Sequence, residues 1–490
     1  MKIIHVASEL GKLAKTGGLA DVTSSLADAL AGLGHDVSVF MPRYRQTESL
    51  TSGFKKVLDS IEVTLGHQKE KGAVYSGKLA SGVTVYLIDH ADFFGREFIY
   101  GTYTGDYADN DRRFTFFQRA VLTAIDKLGL EPEIIHCHDW QTGLIPVYLK
   151  NREFRGNRFK KIRTLFTIHN LAYQGNFPPD SLPVTGLGWE LFRFDLLEFY
   201  GKVSFIKGGL IFADAVTTVS ERYAREIQTK EFGCGMDAVL RERAVDLHGI
   251  VNGINPAEWN PQTEKGLPAQ FSPSDFSGKA VCKLTLQKDN EFVQDEKIPV
   301  FSFVSRLVSQ KGLDVLIPAF EALSGMGIQL LILGTGEERY HQALRDLAKK
   351  NREWLRVHIV FDPEMAKQIY AGSDFFLLPS FYEPCGLGQM IALRYGTIPI
   401  VRETGGLADT VSEFNPASGS GNGFVFQEYK AEDFLNTVRR AVKVFKKKKE
   451  WHQLQRNAFA CDYSWEASAK RYVELYQNVK PIKVRIERSL

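Results

Sequence analysis

Three short stretches decide the fold: Lys2-Ile-Ile-His-Val-Ala-Ser8, Lys15-Thr-Gly-Gly-Leu-Ala-Asp21 and Asp36-Val-Ser-Val-Phe-Met41. The first is an apolar run that reads as a buried strand. The second is a Gly-rich turn opening a helix over Gly18–Leu33. The third is another buried strand. Strand, helix and strand in that order make a βαβ unit, the crossover that parallel strands require.

The alternation continues outward from that unit. Further strands are predicted at Val83–Asp89, Glu133–Cys137, Thr164–Ile168 and Ala215–Val219, with helices at Asn110–Leu128 and Lys202–Ala213. Near residue 250 the texture changes. Gly249-Ile-Val-Asn-Gly-Ile-Asn-Pro-Ala-Glu-Trp-Asn-Pro261 turns repeatedly, and a polar stretch follows to Gly278, the best linker in the chain. Strands then resume at Pro299–Ser305, Gln329–Leu333, Val357–Phe361, Asp374–Leu378, Ile398–Val401 and Gly423–Phe426. The pattern predicts two doubly wound α/β domains, residues 1–255 and 262–464, and a last helix over Trp465–Gln477. A single barrel is disfavoured by the strand number and the linker. Ligands of such sheets bind beyond the carboxyl ends of the strands, and two facing domains create a cleft.

Composition narrows the function classes. Over 490 residues, Lys+Arg is 61 and Asp+Glu is 58, a formal charge of +3. This balance argues against a dedicated nucleic-acid binder. Hydrophobic residues at 44% and charged ones at 24% are ordinary for a globular chain. Five scattered cysteines without C-x-x-C suggest neither a disulfide framework nor a zinc site, and fit a reducing cytoplasm. No apolar run reaches the roughly 18 residues of a membrane span, and Met1-Lys-Ile-Ile-His-Val does not read as a secretory signal. The basic stretches Lys446–Lys449 and Lys480–Arg488 read as a solvated helix face and a frayed terminus.

The surplus feature is glycine, 42 residues with several in pairs beside strands. Gly17 and Gly18 let backbone N–H groups approach an anion at a helix N-terminus, and Lys15 adds a full charge. Ser305-Arg-Leu-Val-Ser-Gln-Lys-Gly312 follows the first strand of the second domain. Arg306 and Lys311 there can share one anion, the first as a bidentate donor and the second as a point charge. Phe381-Tyr-Glu-Pro-Cys-Gly-Leu-Gly388 places Glu383 at a helix entrance, where a carboxylate can hold sugar hydroxyls or stabilise positive charge, or simply answer the helix dipole. Cys385 has no evident base and reads as a small buried residue. Glu403-Thr-Gly-Gly-Leu-Ala-Asp409 repeats six letters of the first glycine turn, which suggests two similar anion-binding loops, one per domain.

His136-Cys-His-Asp-Trp140 and Thr167-Ile-His-Asn170 each end a strand. His-x-His hints at a metal, but no third ligand is local, so Asp139 and His169 read better as polar groups near a substrate. Asp109-Asn-Asp111 matches a D-x-D metal–nucleotide motif, yet it sits at a helix start where Asp is favoured anyway.

Together these segments resemble the bacterial glycogen synthases and plant starch synthases, the family 5 glycosyltransferases. The matching text includes Lys15-Thr-Gly-Gly-Leu-Ala-Asp-Val22, His136-Cys-His-Asp-Trp-Gln-Thr-Gly143, Thr167-Ile-His-Asn-Leu-Ala-Tyr-Gln-Gly175, Glu231-Phe-Gly-Cys-Gly235, Ser305-Arg-Leu307, Gln310-Lys-Gly312, Glu383-Pro-Cys-Gly-Leu387 and Arg394-Tyr-Gly-Thr397, in order along nearly the whole chain. The resemblance implies the GT-B fold of two Rossmann-like domains, an acceptor side in the first and a donor side in the second, and an interdomain active site. It implies that the segment 465–490 crosses back to the first domain. It further implies transfer of glucose from ADP-glucose to the non-reducing end of an α-1,4-glucan such as glycogen, with retention, in the cytoplasm, with no cofactor and no metal, and with neither nucleic acid nor membrane as partner.

By the same resemblance, Lys15, Arg306 and Lys311 bind the donor's phosphates. The loops at Gly17, Gly18 and Asp21 and at Thr404, Gly405 and Gly406 help hold the donor. Glu383 faces the glucosyl unit and stabilises its developing charge. Asp139, His169 and Asn252 line the sugar and acceptor side, and Tyr100 contacts donor or acceptor. Catalytic roles fall to Glu383, Asp139, His169, Arg306 and Lys311. Departures from the family text are Gly388 where Thr is usual, Phe381 where Arg is usual, Asn255 where Asp is usual, and Leu10-Gly-Lys-Leu-Ala14 after Glu9. A related UDP-using family has a second Glu eight residues after the first, where this chain has Ile391. Two other readings compete: a glucan-binding protein that lost catalysis, against which Lys15, Arg306, Lys311 and Glu383 all stand intact, and a phosphorylase using pyridoxal phosphate, whose chain is much longer.

Overall fold

The computed structural model describes residues 1–11, 13–151 and 159–484. Lys12 and the end of the basic tail, residues 485–490, lie outside the described residues. Two compact units emerge. The first comprises Met1–Val219, Ala224–Ile250 and the C-terminal segment from Trp465; the second comprises Ser220–Tyr223 and Val251–Ser464. Among the described residues, no helix is long and apolar enough to cross a membrane.

The first unit is built on a nine-stranded sheet. Its order is Leu247–Gly249, Ala215–Thr218, Arg163–Ile168, Ile134–His138, Lys2–Val6, Asp36–Pro42, Thr84–Asp89, Gln68–Lys78 and Lys55–Leu65. The strands from Leu247–Gly249 to Thr84–Asp89 pair in parallel. Central strands are buried along their length, Ile134–His138 without exception, as expected where helices cover both faces of a parallel sheet. The helix Gly18–Gly32 buries Leu19, Val22, Thr23, Leu26, Ala27 and Leu30, the i, i+3, i+4, i+7 stripe of an amphipathic helix.

The sequence reading missed the antiparallel hairpin Lys55–Leu65/Gln68–Lys78. Only Ile61, Val63 and Leu65 alternate inward on the first strand, and its other half is largely exposed. The predicted helix Lys202–Ala213 is also corrected. Lys202–Ser204 pairs in a small antiparallel sheet, and the helix is Phe205–Phe212.

The second unit carries a six-stranded parallel sheet in the order Leu355–His358, Gln329–Leu333, Val300–Val304, Phe375–Leu378, Ile398–Arg402, Phe424–Phe426. One core joins Phe301, Leu330, Phe375, Phe424, Phe434 and Trp451. The strand predicted at Val357–Phe361 starts earlier, because Leu355 pairs with Leu330. Phe361 lies beyond it, 80% exposed, before Asp362 caps the helix Pro363–Gly372 by accepting the Glu364 and Met365 N–H groups.

The helix Trp465–Asn478 belongs to the first unit and packs against Gly18–Gly32. Its Tyr476 hydroxyl lies 2.8 Å from His136 Nδ1. Asn252 clusters with the second unit, three residues inside the boundary drawn from sequence.

Candidate active site

Polar groups gather at the carboxyl ends of the strands in each unit, because parallel βα turns leave backbone N–H groups and loop side chains free there. In the first unit the organising group is Glu9, which is 3% exposed. Its Oε2 accepts the Thr16 N–H at 2.7 Å and the Gly17 N–H at 3.3 Å. Its Oε1 accepts the hydroxyls of Thr16 and Tyr100, each at 2.7 Å. A protein carboxylate therefore already occupies the approach to these first N–H groups. Among the described residues the Gly18 N–H finds no protein acceptor, and a Cβ at Gly17 or Gly18 would meet nothing within 4 Å. The room beside this turn is open.

Lys15 reaches out of the same turn and pairs with Asp21 at 2.7 Å, both exposed. Asp21 thus holds a lysine rather than an anion. Lys15, Thr16, Gln46, Tyr100 and Asp106 help line a cavity of about 370 Å³. The Tyr100 hydroxyl meets Glu9 and Ser8, each at 2.7 Å. Burial raises this phenol well above its ordinary range. The sequence reading used Glu9 only as a landmark. Its signal was position: a carboxylate ending the first strand, just before the glycine turn.

Asp139 follows the strand Ile134–His138 with φ 57° and ψ −178°, a backbone region that side-chain-bearing residues enter only under strain. Its Oδ1 accepts the His169 N–H at 2.8 Å, joining the ends of two neighbouring strands. Burial, reinforced by the Glu9 carboxylate and opposed by the backbone N–H groups of His169 and Asn170, pushes its carboxyl up to about 7. A strained acid titrating near neutrality is the kind of group that marks functional sites.

In the second unit, Lys311 lies just after the strand Val300–Val304 and Glu383 after Phe375–Leu378, neighbouring strands of one sheet. Lys311 Nζ is 2.5 Å from Glu383 Oε2, and Ser380 Oγ donates to the same oxygen at 3.1 Å. Arg306 is exposed, and among the described residues its guanidinium has no acidic partner. The two loops are tied through backbone, Phe381 N–H to Gln310 carbonyl at 2.9 Å. Gly312, at φ 83°, would put a Cβ 1.9 Å from the Pro379 carbonyl, so only glycine fits after Lys311.

The expectation of two equivalent glycine loops is corrected. At Gly405 a Cβ would lie 1.8 Å from the Glu383 carbonyl, and at Gly406 2.1 Å from that of Cys385. The Gly406 N–H donates to the carbonyls of Glu383 and Pro384 at 3.1 and 3.2 Å. The Thr404–Gly406 turn braces the Glu383 loop, where its twin at Gly17–Gly18 faces open space. Asn252 sits beside Cys385, with its Oδ1 buried and unpaired in the described structure. Burial pushes the Cys385 thiol up to about 12, so it is no nucleophile.

Other sequence features find structural roles. Asp109 holds Arg96 through both oxygens, at 2.7 and 2.6 Å, and Asn110 accepts from Arg113 at 2.6 Å. A Cβ at Gly388 would come within 2.8 Å of the Phe376 ring. The space beside Gly388 is filled by the Phe376 and Tyr370 side chains. Asn255 Oδ1 accepts the Ala257 N–H at 2.9 Å, a task either Asn or Asp performs. Phe381 lies under the Arg402 guanidinium, 6.0 Å away, so a cation still stands at that loop.

Two α/β units, each with a largely parallel sheet and polar groups at the strand ends, have the architecture of the GT-B class. A family model described as the starch synthase catalytic domain matches residues 2–242, and one described as glycosyl transferases group 1 matches residues 286–458. A glycogen synthase of Geotalea uraniireducens is 47% identical over 477 residues, covering 97% of this chain and 98% of its own. One from Moorella thermoacetica is 45% identical over 481 residues, 97% and 96% of the two chains. The catalytic domain of starch synthase IV from Arabidopsis thaliana, solved with ADP and acarbose bound, superposes with a TM-score of 0.87 at 34% identity, covering 98% of this chain and 99% of that one. Sucrose-phosphate synthase from Thermosynechococcus elongatus shares the fold, with a TM-score of 0.59 at 17% identity. This chain belongs to the glycogen and starch synthase family of glycosyltransferases.

Proposed function

We propose that this chain transfers glucose from ADP-glucose to the non-reducing end of an α-1,4-glucan, retaining the anomeric configuration. The observation that carries the reading is the Lys311–Glu383 pair, 2.5 Å between Nζ and Oε2. A sugar–diphosphate bond that breaks leaves negative charge on the phosphate oxygen and oxocarbenium character on the sugar. A cation and a carboxylate held side by side answer both charges. Arg306, without an acidic partner among the described residues, adds a second cation for the diphosphate. Lys15 and the Gly18 N–H serve the donor from the first unit, while Asp139, His169 and Asn252 serve the sugar and acceptor.

ADP as the nucleotide is supported by the starch synthase IV structure, solved with ADP. It is supported also by Ile391, 6% exposed and apolar, where a UDP-using relative would carry a second glutamate. The proposal needs no metal and no cofactor, since fixed cations supply the positive charge. A reducing cytoplasm is the proposed compartment, in keeping with five cysteines that are all free thiols.

We take retention to proceed by front-face attack within an ion pair. Glu383 is already committed to Lys311 and Ser380, which suits a charge-stabilising carboxylate better than a nucleophile. The test uses ADP-[14C]glucose, glycogen and an exo-acting glucosidase. Label that is incorporated and then released from the non-reducing ends supports the reading. Label that stays in free glucose, or a trapped glucosyl ester on an enzyme carboxylate, contradicts the transfer or its mechanism respectively.

A further inference from the structure

The first unit contains a row of imidazoles outside the charge chemistry above. His5 and His136 stand side by side in the register of Lys2–Val6 and Ile134–His138, and alternation puts His138 on the same face as His136. His5 Nδ1 lies 3.0 Å from His138 Nε2, and His138 Nδ1 lies 3.0 Å from His169 Nε2. Both links are hydrogen-bond distances, so each carries one proton between two ring nitrogens. Burial holds His5 and His169 down at about 3, and His138 well below the imidazole range, so all three rings are neutral.

Neutral rings in a row leave two arrangements. In one, every ring carries its proton on Nδ1: His5 donates to His138, His138 donates to His169, and His169 Nδ1–H points away from the row. In the other, every proton sits on Nε2 and the row runs backwards. The far end decides between them. His5 Nε2 is buried with no hydrogen-bond partner among the described residues. The backward arrangement would bury an unpaired N–H there. The forward one leaves only a bare lone pair, and orphaned donors are the rarer and costlier defect.

The nitrogens of His5, His136 and His138 lie within 4.8 Å of one another, which also suits a metal. Hydrogen bonds use them instead. His136 meets Tyr476 Oη at 2.8 Å and Thr167 Oγ1 at 2.6 Å, and His138 is engaged on both sides. Only His5 Nε2 is left over in this group.

We propose that His5 and His138 are positioning residues that lock His169 into a single tautomer, with its proton on Nδ1. His169 then presents a permanent hydrogen-bond donor on the ring edge facing away from the row. That this donor meets a sugar hydroxyl oxygen rests on the transferase reading above; the tautomer does not.

The test is a long-range 1H–15N correlation spectrum of the full chain with 15N-labelled histidine, with His169 assigned from the peaks lost in H169Q. The expected result is a protonated Nδ1 and a bare Nε2 in His169, and the same in His138 and His5. A His169 proton on Nε2, or an even mixture, overturns the proposal. A second measurement uses H5M, whose thioether accepts but cannot donate. Its sulfur takes a His138 Nε2–H, the row runs backwards, and His169 loses its single Nδ1–H tautomer. An H5M protein that folds and keeps a single Nδ1–H tautomer in His169 also overturns it. Because the spectrum reads ring protons and not turnover, it stands even if the chain proves inactive on ADP-glucose.

Discussion

Lys311 Nζ and Glu383 Oε2 are 2.5 Å apart, with side chains 14% and 7% exposed. Each comes from the loop after one of two adjacent strands, so sheet order alone brings them together. The sequence assigned one to phosphates and the other to a sugar. Their contact means that the two charges act as a unit and that neither can be removed cleanly.

Glu383→Gln keeps the shape and removes the charge. Initial rates with ADP-glucose and glycogen should show kcat lower by roughly a hundredfold or more, with KM changed little, because the contact matters most as charge develops. Lys311→Met leaves a buried carboxylate without its partner and should cost roughly 3–5 kcal/mol of stability, read by denaturant unfolding. A Glu383→Gln enzyme with wild-type kcat would remove the carboxylate from the mechanism.

Arg306 behaves in the opposite way. Among the described residues its exposed guanidinium has no acidic partner, so Arg306→Ala should shift stability by no more than about 0.5 kcal/mol. It should nevertheless lower kcat/KM for ADP-glucose strongly, and Arg306→Lys should recover only part, since the fork is lost. Unaltered kcat/KM in Arg306→Ala would take this residue off the donor.

Asp139 sets a pH dependence. Its carboxyl is raised to about 7, so the native state holds it neutral below that value and ionised above it. If the ionised form serves the sugar, kcat rises as pH increases through about 7. Stability moves the other way: the unfolded chain ionises first, near pH 4, so the native state loses stability as pH climbs from about 4 to 7. Asp139→Asn keeps an acceptor for the His169 N–H and should flatten both curves. A wild-type rate profile without an inflection between pH 6 and 8 would contradict this assignment.

The two glycine turns predict contrasting variants. Gly405→Ala drives a Cβ to 1.8 Å from the Glu383 carbonyl at a φ of 43°, so it should lower Tm by several degrees and disturb Glu383. Gly17→Ala meets no atom within 4 Å and should leave Tm almost unchanged while weakening donor binding. Calorimetry and donor KM separate the two. Equal effects from both would restore the picture of equivalent loops.

That contrast also shows where sequence reading stops. Thr-Gly-Gly-Leu-Ala-Asp occurs at 16–21 and at 404–409, yet one turn faces open room and the other a packed carbonyl. The difference lies in tertiary neighbours that no local pattern carries. Most parallel strands were legible because full burial on both faces makes them unbroken apolar runs, as at Gln329–Leu333. The Lys55–Leu65 hairpin was not, because half of its first strand is solvated. Arg306, Lys311 and Glu383 stood out through their place at strand ends. Glu9 did not, since its role depends on Tyr100 and Thr16 converging on it from separate segments.

The most direct measurement of the central claim is nucleoside diphosphate release from ADP-glucose and from UDP-glucose, each with glycogen as acceptor. Steady ADP release matched by glucan growth is expected, with UDP-glucose used far less well. No turnover with either donor, from a folded protein, would contradict it.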